Sequence, residues 1–143
     1  EFRRVLFRSV RETYRIVGEV QITHQDYTSG RLFEDAIGHS FYPIDLHDRS
    51  GVKPKPLARG TVPTIPLRAL VPKGSRNLLV AGRSIGSDRL ANSALRVQAS
   101  CMAMGQAAGA TAALAAKAGI SPLDVPIQDI RGLLRKHGAI VPG

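Results

Sequence analysis

Two stretches of the chain hold residue types that could do chemistry. The first, residues 78–109, reads LLVAGRSIGSDRLANSALRVQASCMAMGQAAG: a short apolar run, a Gly-containing loop, then an alanine-rich segment. Arg83 and Arg89 sit in the predicted loop, and Arg96 opens the predicted helix. A helix start offers free N–H groups and the positive end of a dipole, so it suits standing or developing negative charge. A cation in the first turn is unfavourable unless something anionic faces it. Three arginines converging there predict an anion or an electron-accepting ring. The second stretch is AIGHSFYPIDLH, residues 36–47, where Asp45 and His47 share one face of an extended segment. His47 is a candidate substrate-facing acid or base.

The first stretch also supports a rival chemistry. Gly82-Arg83-Ser84-Ile85-Gly86 is a G-x-S-x-G string after a predicted strand, and Asp124 or Asp129 followed by His137 completes the order Ser, Asp, His. Ser84 would then be the nucleophile of an α/β-hydrolase-like esterase. Against this, the elbow requires a helix to start at once, and no strand follows the alanine-rich helix to carry the acid and the histidine. His137 reads more simply as a residue at a helix C-terminus. Metal binding is not expected, because His24, His39, His47 and His137 lack ligand spacing and Cys101 is the one cysteine. Cys101 itself reads as a small buried hydrophobe.

The elements that must position these residues follow from periodicity. Tyr14, Ile16, Gly18, Val20 and Ile22 alternate with more polar neighbours, which predicts a strand over residues 10–22. Thr23 is the expected N-cap of a helical turn through Tyr27 that stops near Gly30. Residues 36–47 form a second extended stretch, and residues 48–66 a Pro- and Gly-rich connection. Leu67–Val71 and Leu78–Ala81 are short apolar runs split by Pro72-Lys73-Gly74, a turn signal. Residues 95–118 predict a long helix ended by Gly119, with Gly105 and Gly109 beginning a small-residue stripe for close packing on the Leu78–Ala81 strand. Ile127, Ile130, Leu133 and Leu134 place a second helix over residues 127–137.

Composition bounds the rest. With 143 residues, 43% hydrophobic and 22% charged, the chain suits one ordinary globular unit. The net charge of +9 is concentrated in residues 49–96, where ten basic side chains face Asp88 alone. That segment has no Phe, Tyr or Trp and is broken by prolines, so an anionic small molecule or an intramolecular partner fits better than nucleic acid. A non-enzymatic basic interaction module rests on this charge only. Ala99–Ala116 is uncharged but consists mostly of small residues, which argues against a membrane span. No signal-peptide layout is present, and the cytoplasm is the expected compartment. Arg4–Ser9 match the in-frame translation of a common sequencing-library adapter. Residues 1–9 are therefore read as an artefact and the natural chain as cut upstream.

The combined motifs resemble the C-terminal part of the FAD-dependent oxidoreductases with a glutathione-reductase-like flavin fold. The resemblance rests on Pro72-Lys73-Gly74, on Asn77 to Arg83 and on Arg96 through Gly109, with Arg11–Glu19 and Tyr42–His47 similar to that family's substrate-side strands. It implies an α/β fold: the last strand, long Ala/Gly-rich helix and short C-terminal helix of a Rossmann-like FAD-binding domain (67–143), with part of a β-rich substrate domain (10–66). It implies FAD held by Gly82, Arg83, Ser84, Arg96, Val97 and Gln98, with Arg96 and His47 as the catalytic candidates. The reaction would be hydride transfer with a small organic substrate. No G-x-G-x-x-G occurs, so the missing N-terminal part of the same flavoprotein is an expected partner, and the chain alone is expected to be inactive.

Overall fold

The computed structural model describes residues 14–46 and 54–142. The adapter-like residues 1–9, the first part of the predicted N-terminal strand and His47 lie outside the described residues.

Residues 14–22 run extended, but as a strap across two segments. The N–H of Ile16 donates to the Ser84 carbonyl (2.9 Å), that of Glu19 to Val71 (2.9 Å) and that of Ile22 to Gly86 (3.1 Å). Because the partners alternate between residues near 70 and residues near 85, no ladder builds up. Only isolated bridges form, Gly18 with Pro72 and Ile22 with Ser87. Glycine is required where the strap crosses. A Cβ on Gly86 would stand 2.7 Å from the Val20 carbonyl oxygen and 3.1 Å from Gly18 Cα.

Helix α1 (His24–Ser29) begins as expected. Thr23 and Asp26 form a reciprocal capping box, and Gly30 ends the helix at φ 71°. Strand β1 (Ala36–His39) pairs antiparallel with β2 (Thr64–Pro66) through a bulge between Ala36 and Gly38. Leu67–Ala69, the start of the first short apolar run, closes into a 3₁₀ turn behind Pro66. Leu78–Ala81 forms no strand among the described residues. The Val80 N–H reaches the Leu70 carbonyl at 2.7 Å, and one such bond makes no ladder.

The segment expected to be a loop contains a helix of its own. The Asp88 carboxylate accepts from the Ala91 N–H and caps α2 (Arg89–Leu95), while also accepting from the His24 N–H. Val97, extended at ψ 154°, breaks the chain before α3 (Gln98–Ala118), which ends at Gly119 with φ 66°. Helix α4 spans Ile127–Lys136. Helix α3 buries Ser100, Met104, Ala107, Thr111 and Ala115, a stripe at helical spacing. The Gly105 and Gly109 face is open instead, and a Cβ on either would meet nothing within 4 Å. The expected close packing there is corrected: β1 is what approaches α3, where a Cβ on Gly38 would lie 3.8 Å from Ala103 Cβ.

One core joins these elements. Ile22, Tyr27, Ile37, Ile44 and Ile65 share it with Leu70, Leu95, Met104, Ile130 and Leu134. Arg131, 4% exposed, crosses from α4 to the sheet and donates to the carbonyls of Ala36 and Glu34, at 2.9 Å each. Its buried charge thus meets two backbone oxygens, which helps to keep it tolerable in an apolar setting.

Candidate functional site

The start of α3 is where the sequence-derived candidates gather. Gly82 takes φ 79°, a left-handed value that favours glycine, and opens a single 3₁₀ turn over Gly82–Ser84. That turn lies against the first turn of α3, since a Cβ on Gly82 would be 3.7 Å from Cys101 Sγ. Two bonds pin it. The buried Asn92 of α2 donates its Nδ2 to the Arg83 carbonyl (3.1 Å), and the Ser84 carbonyl accepts from the Ile16 N–H. The same Asn92 amide reaches Ser87 Oγ at 3.0 Å.

Arg83, in the middle of that turn, is exposed. Burial pushes the Cys101 thiol above its ordinary value, and the nearby Arg83 charge opposes that rise. Arg96 occupies a different position from the one expected. It is the C-cap of α2, its N–H bonded to the Asn92 carbonyl, rather than a first-turn residue of the long helix. A cation there complements the negative end of α2, so its presence does not by itself demand an anion. Its Nη2 donates to the Asp45 carbonyl at 2.9 Å, while the Asp45 N–H donates to Ser93 Oγ at 3.1 Å. Arg96 and Ser93 together tie the end of the second extended stretch to the α2–α3 junction. Arg89 stands at the other end of α2.

Val97 is the N-cap of α3 and has no side-chain cap. The first N–H bonded back to it is that of Cys101, at 2.9 Å, so the N–H groups of Gln98, Ala99 and Ser100 have no partner within the helix. Helices α1 and α2 each have a first-turn N–H capped by a side chain, Asp26 by Thr23 and Ala91 by Asp88; α4 also lacks a side-chain cap. Behind the α3 start runs a buried polar chain that sequence reasoning missed. Ser100 Oγ meets Ser40 Oγ at 3.0 Å, Ser40 Oγ meets Tyr27 Oη at 2.9 Å, and Tyr27 donates to the Tyr42 carbonyl at 2.9 Å. Its members span 74 positions of sequence, and no local spacing links them.

The esterase arrangement is not assembled. Ser84 lies beside the first turn of α3, and among the described residues its hydroxyl bonds to no histidine. His137 sits at the end of α4 beside Gly105 and Gly109, one to two turns further along α3, or about 6–12 Å. Gly86 owes its place in the G-x-S-x-G string to the crossing with the strap.

With the Gly82–Ser84 turn, Arg83 and the uncapped helix start in place, comparison with known families decides the class. The family model for FAD dependent oxidoreductase matches residues 9–134. The chain belongs to that family. FAD is accordingly its cofactor, and its chemistry is that of an oxidoreductase. No curated protein and no solved structure gives a significant match. Among the described residues, no helix is long and apolar enough to cross a membrane.

Proposed function

We propose that this chain forms the closing part of a flavin site in a two-part FAD-dependent oxidoreductase that acts on a small organic substrate. In this reading residues 67–143 belong to the FAD-binding domain and residues 10–66 to the substrate side. When bound, FAD supplies hydride transfer with the substrate. The observation that carries the reading is the uncapped start of α3, set beside the Gly82–Ser84 turn and flanked by Arg83 and Arg96. These groups fit a flavin chemically. Free N–H groups of Gln98 and Ala99, the helix dipole and two guanidinium groups all favour negative charge developing on an adjacent ring edge. Gly82 and Arg83 offer backbone close to a ribityl chain.

Arg96 has a second task in this reading. By holding the Asp45 carbonyl it fixes the segment leading to His47, which we assign as the acid or base facing the substrate. The pyrophosphate loop comes from elsewhere, because this chain has no G-x-G-x-x-G. Activity then requires the N-terminal part of the same flavoprotein.

Anaerobic bleaching of the flavin by substrate in the complete protein tests the reading. Arg96→Ala should slow bleaching by about 30- to 900-fold, the equivalent of about 2–4 kcal/mol for one electrostatic stabiliser in a closed site. Ser84→Ala should retain most of the rate. An esterase activity abolished by Ser84→Ala and spared by Arg96→Ala would refute the assignment.

A further inference from the structure

A groove of about 760 Å³ opens between β1, the second and third turns of α3 and the residues after α4. Large apolar side chains stand exposed around it: Phe41 at 77%, Met102 at 69%, Val62 at 45% and Ile140 at 86%. Its size falls in the range of small-molecule sites. Isolated exposed hydrophobic residues need no explanation, but several converging on one concavity do. Among the described residues the lining contains no Lys, Arg, Asp or Glu, in a chain that carries 20 basic side chains and a net charge of +9. The described part of this surface is therefore uncharged although charge is common elsewhere.

Among the described residues the polar side chains at the groove are His39 and Gln106. His39 Nδ1 is buried with no hydrogen-bond partner. A hydrogen on that nitrogen would be a buried donor with nothing to donate to, so the neutral ring keeps its proton on Nε2. Nε2, unlike Nδ1, is not among the buried unpartnered atoms and faces accessible space. Met102 and Gln106 are four apart on α3, so the Gln106 amide lies on the same face as the exposed methionine. The groove thus offers an apolar bed, an N–H donor from His39 and an amide from Gln106.

We propose that this groove binds a neutral, mainly apolar small molecule carrying a carbonyl or similar hydrogen-bond acceptor, which takes the hydrogen of His39 Nε2. An anion would be desolvated there with no counter-charge among the described residues, and a hydrocarbon would leave the donor unpaired. The assignment does not depend on where the flavin sits.

The chain has two methionines, and they make the test internal. Met102 lines the groove, whereas Met104 is fully buried on the opposite side of the helix turn. The methyl resonances of both are followed while the 143-residue chain is titrated with acetophenone, toluene or benzoate. Acetophenone should shift the Met102 methyl saturably and leave Met104 in place, with a Kd at least fivefold below those of toluene and benzoate. His39→Phe should remove the advantage over toluene. Phe41→Glu, at a site exposed enough to spare the fold, should weaken acetophenone at least fivefold. The proposal is overturned by the absence of a saturable Met102 shift, by equal affinity for all three probes, or by equal movement of Met104. A Met102 shift that tracks protein concentration without any probe would assign the groove to a second copy of the chain and overturn it equally.

Discussion

Cys101 shows how the charge at the α3 start can be read from one side chain. Burial raises its thiol pKa and Arg83 pulls the other way. Its alkylation by iodoacetamide at pH 8 should therefore be slower than that of an unstructured cysteine peptide, and Arg83→Gln should slow it further by leaving the burial effect unopposed. An Arg83→Gln chain that reacts faster would place the guanidinium away from this corner. Tyr27 gives a second reading at the same scale. Its hydroxyl bonds with Ser40 and the Tyr42 carbonyl, and burial raises its pKa above the ordinary 10.0. Tyr27→Phe should cost about 1–2 kcal/mol in denaturant unfolding, because it leaves buried partners unsatisfied. The sign with pH follows from the raised value: the native phenol stays neutral where the unfolded one ionises. Stability is fully present below about pH 10 and is lost as pH rises through the native pKa. Tyr27→Phe should lack that alkaline loss. Single residues such as Thr23 and Gly30 were legible in the sequence because cap chemistry is local. The bond from Arg96 to the Asp45 carbonyl was not, since it links positions 51 residues apart.

At the scale of elements, the helices were more legible than the strands, and the reason is physical. A helix satisfies its backbone within its own residues, so Thr23 as a cap, Gly119 as a stop and the 127–137 stripe suffice to mark one. Helix α2 behind Asp88 is the exception, lying in a segment whose composition predicts a loop. A strand needs a neighbour at the right height. Residues 14–22 alternate as a strand should, yet their N–H groups are divided between two segments and no sheet results. The helical break at Arg96–Val97 also passed unseen, since neither residue is a breaker. Glycine roles divided the same way: Gly105 and Gly109 drew attention by spacing, while Gly86 carries the real steric demand. Gly86→Ala should destabilise by about 2 kcal/mol or more, because its Cβ would meet backbone atoms that cannot turn away. Gly109→Ala should stabilise by about 0.5–1 kcal/mol, the ordinary gain for alanine in an open helix interior. Thermal melts of the two variants followed by circular dichroism check both signs. Destabilisation by Gly109→Ala in the 143-residue chain would show that the open face is covered.

For the molecule as a whole, the basic excess of residues 49–96 is partly answered from within. Arg68 meets Asp35 through Nε at 3.1 Å and Nη2 at 3.2 Å, and Arg96 holds a carbonyl. The flavin assignment was legible because its motifs are long and contiguous. The groove around His39 was not, because its walls come from β1, α3 and the residues after α4. Lacking a pyrophosphate loop, the purified 143-residue chain should be colourless and should not quench FAD fluorescence stoichiometrically. A yellow, one-to-one preparation would refute that division of labour. The central claim, that the start of α3 faces the electron-accepting edge of the flavin, is tested most directly by the FAD midpoint potential in the complete protein. On that claim, Arg83→Gln and Arg96→Gln each remove positive charge that would stabilise the reduced ring. Each should lower the potential by about 30 mV or more, equivalent to about 1.4 kcal/mol for a two-electron couple. Unchanged potentials in both variants, with FAD still bound, would contradict that claim.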